Sequence, residues 1–374
     1  MSAPIVIPQV QPWLGQEEAA AAARAVTDNW ITEGPRSKEL SEKLNQLIGV
    51  PYGVFAPNGT LALVLGLIAL GIKSGDEVLV PNITFIGSAN AVLMLGAVPV
   101  FVEVERVTFQ IDVTKAEGLV NGRSRAIMPV HLYGTACNMR AVQAFAHRHG
   151  LHIIEDAAQG IGVSYFGRHV GGLGDVGCFS FFADKTLTTG EGGYVVCRDA
   201  AVYDRLRLLR NQGRFDRGSF IHPMIGYNFR MTDLQSAIGL VQFAKLDAII
   251  ERKSQILAWY RAELEDIAQV RILPAETGST HVPFRCVLIA ERASMLMKHL
   301  EDHGVQSRSF FYPLHMQPCF VDWAKTLSCP PALDDKDYPN SIFGYENGVC
   351  LPIFPTLSRE QVRLIGSRIR EFYS

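Results

Sequence analysis

Apolar residues fall into two rhythms along this chain. Compact apolar runs at 52–56, 76–80, 99–104, 126–129 and 152–155 have the composition of buried strands. Longer segments at 61–70, 86–95, 113–120 and 139–148 lie between them and read as helices. This alternation predicts an α/β fold with a mostly parallel sheet covered by helices. Two helices precede it: 16–30, with acids near its start where the helix dipole favours them, and 38–47, with Leu40, Leu44 and Leu47 on one face. Helices at 201–211 and 234–243 follow, then an amphipathic helix over 246–267 that is long enough to bridge two domains. Past Leu273-Pro274 the pattern restarts with a strand at 284–289, a helix at 293–303 and a closing helix at 359–372. The expected organisation is a large domain over 1–250 and a smaller C-terminal α/β domain over 251–374.

Composition narrows the classes. With 374 residues, 48% hydrophobic and 19% charged, the chain can bury a sizeable core and is not disordered. A formal charge of -2 gives no basis for a nucleic-acid or anionic-membrane partner. The seven cysteines show no CxxC spacing, so neither a zinc site nor a disulfide framework is expected, and no metal is called for. No charged-then-apolar leader opens the chain and no apolar run reaches membrane-spanning length, so a cytoplasmic location is expected.

Candidate chemistry concentrates in residues 179–196, FSFFADKTLTTGEGGYVV. Lys185 lies between two apolar runs, 179–182 and 194–196, that read as short buried strands. Burial disfavours a charged amine, so such a lysine is either paired with an acid or used neutral, as carbonyl chemistry requires. A solvent-facing hairpin lysine is the plain alternative, and the neighbours decide. Pro57-Asn58-Gly59-Thr60 carries a strand into a helix, whose unpaired first-turn N–H groups form an anion site. Phe85, His131, Asp156 and Gln159 each follow a strand end, where α/β sheets form their ligand crevice, and Ser180 adds a hydroxyl. Pyridoxal phosphate needs this set: a cradle for its phosphate, an aromatic face, a carboxylate for its ring nitrogen and a lysine for its aldehyde. The stretch from Gly172 to Gly177 matches GxGxxG but precedes an apolar strand instead of opening a helix, so it reads as a loop and not a dinucleotide site.

The blocks WITEGP, PNGTLAL, PNITFIGSANAV, PVHLYG, IIEDAAQGIG, FSFFADKTLTTGEGG, GYNFRMTDLQSAIGLVQFAKLD, FYPLHMQP and LPIFPTLS span nearly the whole chain. In kind and order they resemble those of the DegT/DnrJ/EryC1/StrS aminotransferases. The resemblance implies the fold type I architecture of pyridoxal-phosphate enzymes. It also implies a homodimer with shared active sites, and amination of a keto sugar by an amino-acid donor, glutamate above all. By matching motif, Lys185 carries the coenzyme, Asp156 pairs with its ring nitrogen and Gln159 contacts its ring hydroxyl. Gly59, Thr60 and Ser180 hold the phosphate, Phe85 stacks on the ring, and Asn228 reaches the phosphate of the neighbouring subunit. Tyr312 and His315 are implied near the sugar. TLTTGEGG and FYPLHMQP are most similar to the perosamine-synthase group, which aminates carbon 4 of a GDP-linked 4-keto-6-deoxymannose. Enzymes that aminate an eight-carbon keto-sugar acid are also similar, and Asp184 departs from the asparagine often found there in perosamine synthases. A sugar dehydratase of this kind would carry histidine in place of Lys185. A regulator on this fold would normally carry an added DNA-binding segment, and none is seen before Trp13.

Overall fold

In the computed structural model, which describes residues 7–215, 218, 220–327, 331 and 333–374, the alternation closes into one seven-stranded sheet. Its first strands are β1 (Tyr52–Ala56), β2 (Glu77–Pro81), β3 (Val98–Val102), β4 (Ser124–Ile127) and β5 (His152–Asp156). A small hairpin, β6 (Ser164–Tyr165) with β7 (Arg168–His169), stands apart; β8 (Val176–Ser180) and β9 (Gly193–Cys197) complete the sheet. The order is β1-β9-β8-β5-β4-β2-β3. Pairs from β8 to β3 are parallel, and β9 runs antiparallel to both β1 and β8.

Helices cover both faces: α1 (Gln16–Thr27), α2 (Pro35–Ile48), α3 (Gly59–Ala69), α4 (Gly87–Leu93), α5 (Val113–Ala116), α6 (Met139–His149) and α7 (Ala200–Arg210). Alternate residues of a strand therefore enter different cores: Leu79 of β2 packs on one side, Val78 and Val80 on the other. Each large apolar side chain so buried contributes about 1.5–3 kcal/mol. Local signals set the helix ends. Pro35 starts α2, and Gly49 stops it in the left-handed region at φ +74°. Asn58 caps α3, its Oδ1 accepting the Leu61 N–H at 2.9 Å. Several boundaries differ from the sequence reading, and two have a plain physical reason. The strand expected at 179–182 begins at Val176 and ends at Ser180, because beyond it the chain turns and leaves Phe182 47% exposed. The helix expected at 113–120 is one turn of α5 followed by a 3-10 turn, Glu117–Leu119.

The chain leaves this unit through α8 (Asp233–Ala244) and α9 (Leu246–Leu264). Leu246 packs in the core of the large sheet, whereas Ile256, Leu257, Tyr260 and Leu264 enter a second core. That core is built on an antiparallel sheet of β10 (Val270–Ile272), β11 (Cys286–Ala290), β12 (Arg308–Ser309) and β13 (Gly348–Leu351), in the order β10-β11-β13-β12. The remaining helices are α10 (Ala293–Asp302), α11 (Pro318–Ala324), α12 (Pro339–Asn347) and α13 (Arg359–Tyr373), with α13 packed on α9 and α10. Ile7, from the N-terminal segment, also lies in this second core. Ile83, Phe109 and Tyr133 join Phe284, Phe310 and Cys350 in an apolar cluster that ties the two units together. Five of the described cysteines are buried and Cys319 is exposed, all of them free, while Cys329 lies outside the described residues. Among the described residues no helix is long and apolar enough to cross a membrane.

Candidate active site

The carboxyl ends of β2, β5 and β8 open into a cavity of about 720 Å³, closed on one side by the second unit. Its walls include Gly59, Thr60, Phe85, Asp156, Gln159, Ser180 and Lys185, seven of the residues singled out by sequence. Local chemistry fixes each wall. Asn58 uses its side chain on Leu61, which leaves the first-turn N–H groups of Gly59 and Thr60 without intrahelical acceptors. A Cβ on Gly59 would lie 2.7 Å from the Ser180 Cβ, so only glycine lets the start of α3 touch the end of β8. Phe85 stands at the start of α4 with its ring 57% exposed and 6.1 Å from that of Phe311.

Asp156 is buried at the end of β5. Its Oδ2 accepts the Ser88 hydroxyl at 2.7 Å and its Oδ1 accepts the Ala158 N–H at 3.1 Å. Ser88 is bonded in turn to Thr84 at 3.0 Å, so the α4 start orients the carboxylate. Two lone-pair positions on Asp156 stay uncommitted within these contacts. Glu155, the preceding residue, points the other way and is saturated. It accepts His131 Nε2 at 2.8 Å and the N–H groups of Gly171, Leu173 and Gly174 at 2.7, 2.7 and 2.6 Å. His131 Nδ1 accepts the Cys137 N–H at 3.1 Å, so Nε2 carries the hydrogen given to Glu155. Burial pushes the Glu155 carboxyl up, but His131 and the Gly174 and Gly171 N–H groups more than reverse this and hold it below the ordinary carboxylate value. The glycine-rich 172–177 stretch is thus a structural wrap around a buried acid. His131 belongs to that wrap and not to the cavity wall.

Lys185 lies in the β8–β9 connection with its side chain 16% exposed, its Nζ 3.8 Å from Asp184 Oδ1 and 4.6 Å from the centre of the Phe284 ring. Burial holds its ammonium below the usual lysine range, against the pull of Asp184 and Asp156, with Arg285 pushing the same way as burial. The side chain is therefore biased towards the neutral amine. Gln159 accepts the Tyr133 N–H at 2.6 Å through Oε1 and keeps its amide hydrogens for the cavity. That bond braces a sharp corner: Tyr133 and Gly134 have φ of +58° and +85°, and their carbonyls accept the N–H groups of Phe284 and Val282 at 3.1 and 3.0 Å.

The second unit adds groups that local sequence did not point to. Arg285, whose Nη2 donates to Asp184 Oδ2 at 2.7 Å, lines the cavity with Arg308, Ser309 and Phe311. The only local hint was their position beside the apolar strand 284–289 and the FFY run. Three predicted site residues lie outside the walls formed by this chain. Asn228 is exposed in the 211–230 loop. Tyr312 is half-buried, edge-on to Tyr345 at 4.9 Å. His315 is buried, stacked on Tyr338 at 4.3 Å and bonded through Nδ1 to Asn82 at 2.7 Å and through Nε2 to Asp335 at 3.2 Å.

A neutral-biased lysine, a fixed carboxylate and a helix N-terminus around one cavity define a site for a phosphorylated, carbonyl-bearing coenzyme of amino-group chemistry. The sequence profile of the DegT/DnrJ/EryC1/StrS aminotransferase family matches residues 12–370, and the chain belongs to that family. It is a pyridoxal-phosphate-dependent sugar aminotransferase of fold type I. Among its relatives, a GDP-perosamine synthase of Escherichia coli is 37% identical over 98% of this chain and 99% of the relative. A GDP-perosamine synthase of Vibrio cholerae is 33% identical over 99% and 100%. A UDP-N-acetyl-3-dehydro-alpha-D-glucosamine 3-aminotransferase of Acidithiobacillus ferrooxidans is 37% identical over 96% and 94%. Of solved structures, DesV of S. venezuelae, in complex with a ketimine intermediate, superposes with a TM-score of 0.88 at 33% identity, covering 95% of this chain and 94% of that one.

Proposed function

We propose that this enzyme aminates a nucleotide-linked 4-keto-6-deoxy sugar, GDP-linked as in the perosamine synthases, with glutamate as donor, for a cell-surface polysaccharide or related glycan. The observation that carries this reading is the meeting of Lys185, Asp156 and the α3 turn in one cavity of about 720 Å³, roomy enough for coenzyme and sugar together. Full-length relatives named for GDP-perosamine support the choice of sugar.

In this reading Lys185 holds the coenzyme and Asp156 faces its ring nitrogen. Gln159 meets the ring hydroxyl, Phe85 the ring face, and Gly59, Thr60 and Ser180 the phosphate. Bound pyridoxal phosphate supplies the electron sink that lets a C–H beside nitrogen lose its proton. Lys185 Nζ, which burial biases towards the neutral amine, is the base placed to take that proton and return it one atom away. A positioned base of this kind contributes about 10²–10⁴-fold. Asp156, held by Ser88 and the Ala158 N–H, keeps a fixed negative charge for a protonated ring nitrogen. Phe284, Phe311 and Phe85 present apolar rings to the cavity. Tyr312 and His315 serve the sugar side, His315 by anchoring its loop to Asn82.

The enzyme acts as a homodimer in which Asn228 reaches the phosphate of the other subunit. Asn228 sits in an exposed loop whose Phe220 and Ile225 are 86% and 84% exposed, an apolar surface suited to a second copy of the chain. The assay that tests the substrate uses glutamate with a GDP-linked 4-keto-6-deoxy hexose, a UDP-linked keto sugar and the eight-carbon keto-sugar acid. Preferred amination of the GDP sugar is expected. Turnover of the keto acid alone would overturn the nucleotide assignment.

A further inference from the structure

His299 lies in the last turn of α10 and His303, four residues on, is its C-cap, so the imidazoles fall on the same side of the helix end. Their ring centroids are 4.3 Å apart. α13 brings Glu371 alongside, and one ligand atom from each of the three lies within 4.8 Å of the others. None of the three lines the coenzyme cavity.

The hydrogen bonds at this corner prepare the rings for a cation. His303 Nδ1 lies 2.8 Å from the His299 carbonyl, which can only accept, so Nδ1 carries the hydrogen and Nε2 keeps its lone pair. A backbone carbonyl on the far nitrogen is the bond that orients histidine ligands in metal sites. His299 rests its ring 5.5 Å from that of Phe372, and its Nε2 is buried with no hydrogen-bond partner among the described residues. A buried polar atom left unpaired is costly, and a ligand at this corner gives the ring a use for its nitrogen pair. Arg368 takes one oxygen of Glu371, Oε2, at 2.7 Å and leaves the other. Two imidazoles and one carboxylate suit zinc-class transition ions; magnesium and calcium prefer oxygen ligands.

We propose that His299, His303 and Glu371 form a divalent transition-metal site, with water completing the coordination, that clips α10 to the C-terminal helix. The ion is structural, because its ligands stand apart from Lys185 and Asp156. The test titrates tag-free, coenzyme-loaded protein, stripped with a chelator and dialysed, with Zn2+ in a calorimeter. One saturable site per chain is expected, undiminished by excess Mg2+, with a higher melting temperature when Zn2+ is present. His303→Ala and Glu371→Gln, which leave the coenzyme cavity untouched, should each weaken binding at least as much as the ~10–100-fold that an outer-shell change costs. Aminotransfer by both variants should match the parent. Equal Zn2+ isotherms for the parent and both variants, or equal competition by Mg2+, would overturn the site and leave only adventitious ion.

Discussion

Glu155 and Asp156 are neighbours on β5, and strand alternation turns their carboxylates to opposite faces of the sheet. Glu155 meets one imidazole and three backbone N–H groups, so its acceptor capacity is filled from within the fold. Asp156 meets one hydroxyl and one N–H, and its remaining capacity faces the cavity. Sequence type does not separate a structural acid from one available to a ligand; the number of its hydrogen-bond sites already taken does. Two lysines differ less sharply. Lys253 of α9 is buried and donates one hydrogen bond to Thr186 at 3.1 Å, whereas Lys185 has, among the described residues, no hydrogen-bonding side chain closer than Asp184 at 3.8 Å.

The largest effect should come from the open side. Lys185→Ala should lower turnover by at least about 10²–10⁴-fold, and borohydride should no longer fix coenzyme to the peptide spanning 179–196. Asp156→Asn should slow turnover while leaving the urea midpoint near that of the parent. The comparison is inverted if Asp156→Asn unfolds the protein and Glu155→Gln merely slows it.

Next in size is the closed side. Glu155→Gln turns an amide NH2 towards donors where one oxygen accepts two hydrogen bonds, and should cost about 1.5–3 kcal/mol for each bond lost, read from urea unfolding, with the folded fraction still active. Glu155 is held below its ordinary value of 4.5 in the fold. Its contribution is therefore fully present above that pH and fades as pH falls through the lower, folded value. Parent and variant should converge in stability under acid; parallel curves down to the acid transition would remove Glu155 as the source.

The smallest effect sharpens how Asp156 is held. Ser88→Ala removes one hydroxyl from a charged acceptor, worth about 1.5–3 kcal/mol, or roughly ten- to a hundredfold in rate or coenzyme affinity. A loss as large as that of Asp156→Asn would mean that Ser88 acts on the ligand itself.

Much of the site was legible because it is local in sequence. Strand ends, a capped helix start and a lysine between apolar runs each sit within a few residues of the chemistry they offer. The unread parts are those made by distance. Ser88 and Asp156 are 68 residues apart, and Asp184 and Arg285 are 101. No periodicity links such pairs. His315, whose motif implies a place near the sugar, has its ring enclosed by Asn82, Asp335 and Tyr338, contacts that lie 20 to 233 residues away in sequence. In the large unit long strands and helices declared themselves. In the second unit β12, β13, α11 and α12 are only two to nine residues long, too short for a pattern to establish itself.

The Tyr133–Gly134 corner restricts how this scaffold can be re-engineered. A Cβ at Gly134 would lie 1.8 Å from the Val282 carbonyl oxygen, and the two segments are laced together there by the backbone bonds to Val282 and Phe284. A segment transplanted from another aminotransferase to retune substrate choice must keep its register across 282–284 or pull the Gln159 brace out of line. The exposed turn just upstream, around Gly278, is tied to the same corner: Ser279 Oγ accepts the Ala136 N–H at 2.8 Å and the Gly278 carbonyl accepts the Phe166 N–H at 2.8 Å. A transplanted segment must therefore keep this turn as well.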